Sequence, residues 1–392
     1  MTAFFSYAFR PFFLFAFIYA FVAMGAWLTW IGLYAAGAEV LEASISLPPY
    51  QWHAHEMMFG YAMAVITGFF LTAVPNWTNT RPVEGATLKA LAGAWVAGRL
   101  AIWFSSYLPG LLVAALDLSL IFILLLLVLK ALKARWSKRN FIFVPILLAL
   151  LVANLLVHLE HMGITEDTMA TGHMLALNVI LLLIVIIGGR VVPAFTTNAL
   201  RRLNETTLPQ PNAIFDIASI LSMILICVGD LIGLDDGLRG AIVVFAVIAN
   251  ALRMTKWRTS KVLDQPILWI IHLAYAWLIV GLALKAAALF DFGLTEITAI
   301  HALTVGTVGS MTIGVMTRAA LGHTGRTIHA SPTMVSAYVA ISVAALIRVA
   351  GPALVPQYYN QALLLSGVLW AVLFMALSWN FWPILTRPRL NS

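Results

Sequence analysis

Residues 51–61 read QWHAHEMMFGY, with His53, His55 and Glu56 at the head of a long run that carries no further charge. A polar cluster entering a bilayer costs free energy unless something is paired or coordinated there, so this stretch is a candidate functional site. The pattern returns in weaker form at His173 and His301, each of which also opens a long apolar run. Three histidine-headed helices in one chain point to a shared site.

The surrounding composition sets the environment. The 392-residue chain is 62% hydrophobic and only 10% charged, with a mean hydropathy of +0.94. Soluble domains carry about a quarter charged residues, so the chain is expected to be an integral membrane protein. Long apolar runs, rather than ten-residue alternating strands, select an all-α polytopic bundle over a barrel. Twelve transmembrane spans are expected, at 12–34, 53–76, 87–106, 110–131, 141–159, 172–193, 213–232, 239–254, 266–289, 298–321, 332–350 and 361–385. No soluble domain separates from them, and residues 1–392 read as one membrane domain. The formal charge of +7 has its explanation in topology, and no basic stripe calls for nucleic acid. The single cysteine, Cys227, excludes an internal disulfide and any multi-cysteine iron–sulfur or zinc site.

Lys and Arg collect on one side of these spans. Arg81, Lys89, the group Lys130, Lys133, Arg135, Lys138 and Arg139, then Arg201, Arg202, Arg253, Lys256, Arg258, Lys261, Arg326, Arg387 and Arg389 all fall there. The opposite loops carry Glu39, Glu42, Glu166, Asp167, Asp235, Asp236, Asp291 and Glu296, with Arg239 as their main basic residue. By the positive-inside bias, both termini are expected in the cytoplasm.

His55, His173 and His301 are spaced 118 and 128 residues apart, each interval covering four spans. Pro75 and Pro193 both lie twenty residues beyond their histidines, and Thr78, Thr196 and Thr324 twenty-three beyond. These matches point to a threefold repeat of four-helix units, at about 1–131, 132–254 and 255–392. Helices two, six and ten are then equivalent, each beginning at the outer face.

Under this topology six of the nine histidines share one depth: His53, His55, His158, His161, His173 and His301. Neutral imidazole is the commonest ligand for haem iron and copper, so this layer is the expected metal or haem site. Residues two apart on a helix point about 200° apart, so His53 and His55 cannot both face one centre from a regular helix. His55 is the better candidate for a ligand facing the bundle, and His53 for a second metal or a hydrogen bond to a ligand. Glu56 either orients an imidazole or carries protons, or it complements the helix dipole. Arg99 and Arg348, with Lys285, lie at similar depth, and buried arginines are suitable partners for haem propionates. Met57, Met58 and Met174 adjoin the candidate ligands as potential soft donors. A separate cluster of Arg318, His323, Arg326 and His329, with Arg10 and Arg190, sits at the inner face as either an anion site or structural pairing.

FRPFF at 9–13, WHAHEMMFGY at 52–61 and MTRAALGHTGR at 316–326 resemble the NnrS family, haem- and copper-containing bacterial inner-membrane proteins linked to nitric oxide metabolism and nitrosative stress. The resemblance spans nearly the whole chain. It implies haem and copper, a twelve-helix fold and a role in nitric oxide tolerance beside denitrification, with the reaction and the electron donor left open; haem b is the expected form of the haem. The layout also resembles, more distantly, the catalytic subunit of haem–copper oxidases, which takes histidine ligands from helices two, six, seven and ten. Helix seven here contains no histidine. The leading expectation is a haem protein that binds or reduces nitric oxide near the periplasmic face, with His55, His173 and His301 lining the metal layer. The alternative is a secondary transporter or a metal-handling or assembly protein.

Overall fold

A computed structural model describes residues 3–37, 44–136 and 138–390. Glu39 and Glu42, and the side chains of Lys138 and Arg139, lie outside what it describes. Every regular element among the described residues is helical. Twelve long helices follow the chain: α1 (Phe9–Ala35), α2 (Pro49–Thr78), α3 (Gly85–Trp103), α4 (Gly110–Ala134), α5 (Phe143–His161), α6 (Thr168–Arg202), α7 (Ala213–Leu231), α8 (Asp236–Met254), α9 (Pro266–Leu289), α10 (Glu296–His323), α11 (Pro332–Leu354) and α12 (Tyr359–Thr386). Each expected span coincides with one of them. Eleven are long and apolar enough to cross a membrane. The twelfth, α3, carries Lys89 and Arg99 along a 19-residue helix.

Local chemistry sets the ends. The Asn212 side chain accepts from the backbone N–H of Ile214 at 2.9 Å to start α7, and Asp235 accepts from Leu238 at 3.0 Å to start α8. Helix α2 stops at Asn79, which adopts the left-handed conformation (φ 51°) that asparagine tolerates.

Two helices are not α-helical throughout. In α2 the segment Glu56–Ala62 is π-helical, directly after His55. In α10 the segment Ala302–Gly309 is π-helical, directly after His301. Such winding is rare and concentrates at functional sites. Helices α2, α6 and α10 are also the most enclosed of the eleven apolar helices, at 78%, 72% and 72% buried against 33–61% for the others.

The chain divides into two compact units. The first comprises Met1–Ala176, Ala320–Arg326 and Phe374–Ser392; the second comprises Leu177–Ala319 and Thr327–Leu373. In the first, α2 packs on α1 and α4, α3 on α4, and α4 on α5. Its core is aromatic: Phe9, Phe12, Phe13, Phe17, Phe70 and Phe143 are fully buried. Phe17 meets Phe381 at 5.4 Å between ring centroids, and Phe70 meets Phe143 at 5.2 Å. In the second, α8 packs on α7 and α9, and the π segment of α10 lies between α9 and α11. Trp277, Ala302 and Ala345 form its hydrophobic cluster.

Candidate metal centre

Five helices or helix segments of the first unit bring polar side chains to one place where apolar residues would otherwise pack. Helix α2 supplies His55 and Glu56, α3 supplies Arg99, and α4 supplies Asp117. Helix α5 supplies Asn154 and His158, four residues apart and so on one face. All six are buried. His173, near the start of α6, stands beside them, its ring 6.3 Å from that of His55.

Asp117 is the hub. Its Oδ2 accepts from Asn154 Nδ2 at 2.7 Å, and lies 2.9 Å from His158 Nε2 and 3.1 Å from His55 Nε2. Its Oδ1 pairs with the guanidinium of Arg99, which also pairs with Glu56. Glu56 Oε1 in turn faces His55 Nδ1 at 2.9 Å. The second oxygen near His55 Nε2 is Asn154 Oδ1, at 3.1 Å. Both nitrogens of His55 therefore face oxygen acceptors, an arrangement that a ring protonated at both positions satisfies.

Two glycines let these helices approach. A Cβ on Gly60 would lie 2.5 Å from the Tyr19 ring and 3.0 Å from Arg99 Nη1; one on Gly98 would lie 3.1 Å from Asp117 Cα. Trp95 Nε1 donates to Gly60 O at 3.0 Å, tying α3 to the π segment of α2.

The charges of this cluster decide what it can hold. Arg99 is one cation among two carboxylates, Glu56 and Asp117. Buried charge is tolerated only when compensated, so one more positive charge belongs here. A proton on an imidazole, a proton on Glu56 itself or a metal cation supplies it. His55, Asp117 and His158 each offer a ligand atom, and these atoms lie within 4.8 Å of one another. Two imidazole nitrogens and a carboxylate oxygen suit copper, iron or zinc. The donor set therefore fits a small transition-metal ion.

A haem makes a different demand, an imidazole nitrogen free to point at iron. His173 meets it: Nε2 is buried without a hydrogen-bond partner, while Nδ1 is held by Gln51 Oε1 at 2.9 Å. Fixing one ring nitrogen to orient the other is the usual support for an imidazole ligand. The buried Nδ1 of His158 likewise has no partner.

The remaining candidates stand elsewhere. The His53 ring stacks on Trp27 at 4.6 Å between centroids. The two histidines of the HAH triplet thus have separate surroundings. His161 meets Ser46 Oγ at 3.1 Å at an exposed position. His301 belongs to the second unit and donates from Nδ1 to Ile297 O at 2.8 Å. Arg348 also lies in the second unit, beside Tyr359. Lys285 pairs there with Asp230.

The sequence model of one family, described as NnrS protein, matches residues 3–389. The chain belongs to the NnrS family. No curated protein sequence matches it. Membership supports a nitric oxide-related, metal-associated membrane protein in general terms, and the buried His55–Asp117–His158 group of this NnrS protein is compatible with that.

Two central residues, Asp117 and Asn154, were not among the residues singled out from sequence. Their signal was present: an aspartate in the run LDLSLIFILLLL (116–127) and an asparagine in LLVANLLVHLEH (150–161). An ionisable residue at such depth marks a site even without a histidine beside it.

Proposed function

We propose that this NnrS protein handles nitric oxide at a metal centre in which His55, Asp117 and His158 hold copper and His173 ligates the iron of haem b. The observation that carries this reading is the buried His55–Asp117–His158 group, whose ligand atoms lie within 4.8 Å of one another beside the Arg99–Glu56 pair inside a membrane bundle. A redox metal bound there supplies a site for the diatomic ligand and an electron to or from it. The chain's own residues do the rest. Arg99 fixes both carboxylates and keeps Asp117 Oδ2 directed at the imidazoles. Asn154 donates to the same oxygen and sets its orientation. Glu56 holds His55 through Nδ1, leaving Nε2 for the metal, and it offers a buried oxygen to which a proton can pass.

The test is the absorption spectrum of purified protein, with and without nitric oxide. Wild type is expected to show a haem spectrum that shifts on adding nitric oxide, and His173→Ala to lose the haem. Haem retained in full by His173→Ala would overturn the assignment of that ligand. Wild type purified from a haem-sufficient host without haem or copper would overturn the proposal as a whole, and would favour transport or assembly.

A further inference from the structure

Three segments distant in sequence meet at one end of the first unit: the start of α1, the turn after α10 and the chain after α12. Arg10 Nη1 donates to Leu385 O at 3.0 Å and to Arg387 O at 2.6 Å. Leu390 N donates to Thr324 O at 3.0 Å. The Phe9 and His323 rings stand 5.4 Å apart. Gly325 adopts φ +73° against this strap, where a Cβ would lie 2.7 Å from Leu390 O and 3.3 Å from Arg389 Cγ. These are the FRPFF and MTRAALGHTGR motifs, which the metal centre does not use.

The result is a concentration of like charge. Arg326 lies within electrostatic reach of Arg10 and of Arg387, and each contact is repulsive. Arginine–carboxylate pairs among the described residues belong to Arg99, Arg239 and Arg253; Arg10, Arg326 and Arg387 have none. Arg10 is 2% exposed, and its Nε is buried without a hydrogen-bond partner, as is Nη1 of Arg326. Buried donors left open beside uncompensated cations are costly, and such groups call for an explanation in a bound ion or ligand.

We propose that Arg10, Arg326 and Arg387 form a binding site for a phosphate group. Guanidinium forks match phosphate oxygens, and a bound phosphate would satisfy the open donors and cancel the repulsion. The site lies where α1 begins and where α10 and α12 end, the level of a membrane–water boundary. A phospholipid headgroup and free phosphate share this chemistry.

The experiment uses full-length, delipidated protein in detergent, with thermal unfolding and native mass spectrometry as readouts. Phosphatidylglycerol, phosphatidylcholine and inorganic phosphate are the three probes. Phosphatidylglycerol is expected to bind and raise the unfolding midpoint more than phosphatidylcholine does. Arg326→Gln is expected to weaken that binding about tenfold, the loss of one charged hydrogen bond. The same variant, without ligand, is expected to unfold at a higher temperature than wild type, because a repulsive charge is gone. Arg387→Gln, at an exposed position, provides the second variant. A phosphatidylglycerol effect that phosphate does not reproduce assigns the site to lipid; an equal effect of phosphate assigns it to the free anion. Phosphatidylglycerol no better than phosphatidylcholine with no effect of phosphate, or wild-type affinity in both variants, would overturn the proposal.

Discussion

Asp117 accepts hydrogen bonds at Oδ2 while Oδ1 takes the Arg99 guanidinium, so its carboxylate cannot turn without breaking an ion pair. That rigidity prepares one oxygen for a metal. Asn154 is the part of the support that can be removed without unbalancing charge. Asn154→Ala is expected to weaken copper binding about ten- to hundredfold, the usual cost of losing such support, as read by competition with a chelator. The glycines give a second test. Gly60→Ala is expected to push Tyr19 and Arg99 aside and to cost about 1–3 kcal/mol in reversible unfolding. Gly93→Ala, on α3 with nothing within 4 Å, is expected instead to stabilise by about 0.5–1 kcal/mol. From sequence, Arg99 could be marked as a cation needing a partner, and His55 as a residue facing the bundle. The partner itself could not be named. Which acid reaches Arg99 depends on how α3 and α4 cross at Gly98, and helical spacing within one segment carries no information about that crossing.

The elements were legible because the bilayer imposes their length. A hydrocarbon core of about 30 Å demands about twenty apolar residues per helix, and the apolar runs of this chain show that demand openly. The π-helical segments were not legible, since the extra residue in a wide turn has no compositional signature. They follow His55 and His301, whereas α6, headed by His173, is α-helical throughout, and they make a prediction at this scale. Deleting Met57 would return Glu56–Ala62 toward α-helical winding and rotate the head of α2 by about 100° against the remainder. Copper content is expected to collapse in that variant while far-ultraviolet circular dichroism stays helical. Copper retained at the wild-type level would show that the wide turn does not position His55. Deleting Val305 in the second unit's π segment is expected to leave the copper site intact, because His55, Asp117 and His158 all lie in the first unit.

For the molecule as a whole, twelve helices and the collection of Lys and Arg on one side predict that both termini lie in the cytoplasm. A fluorescent protein fused at the C-terminus is expected to be bright, and alkaline phosphatase fused there inactive; the reverse pattern would place the C-terminus outside, through an inverted orientation or through an odd number of crossings with α3, which carries Lys89 and Arg99, left out of the bilayer. The two compact units were not foreseen from the repeat, because α6, α10 and α12 each contribute residues to both, and hydropathy counts helices without assigning them to cores. The central claim is that the buried His–Asp–His group is a metal site and not only an ion-pair network. Its most direct test is copper per chain in purified His158→Ala beside wild type, since His158 leaves the Arg99–Glu56–Asp117 pairing in place when removed. The expected result is stoichiometric copper in wild type and about a tenth of that or less in the variant, with both equally helical. Equal copper in the two proteins, or none in either after growth with copper, would contradict it.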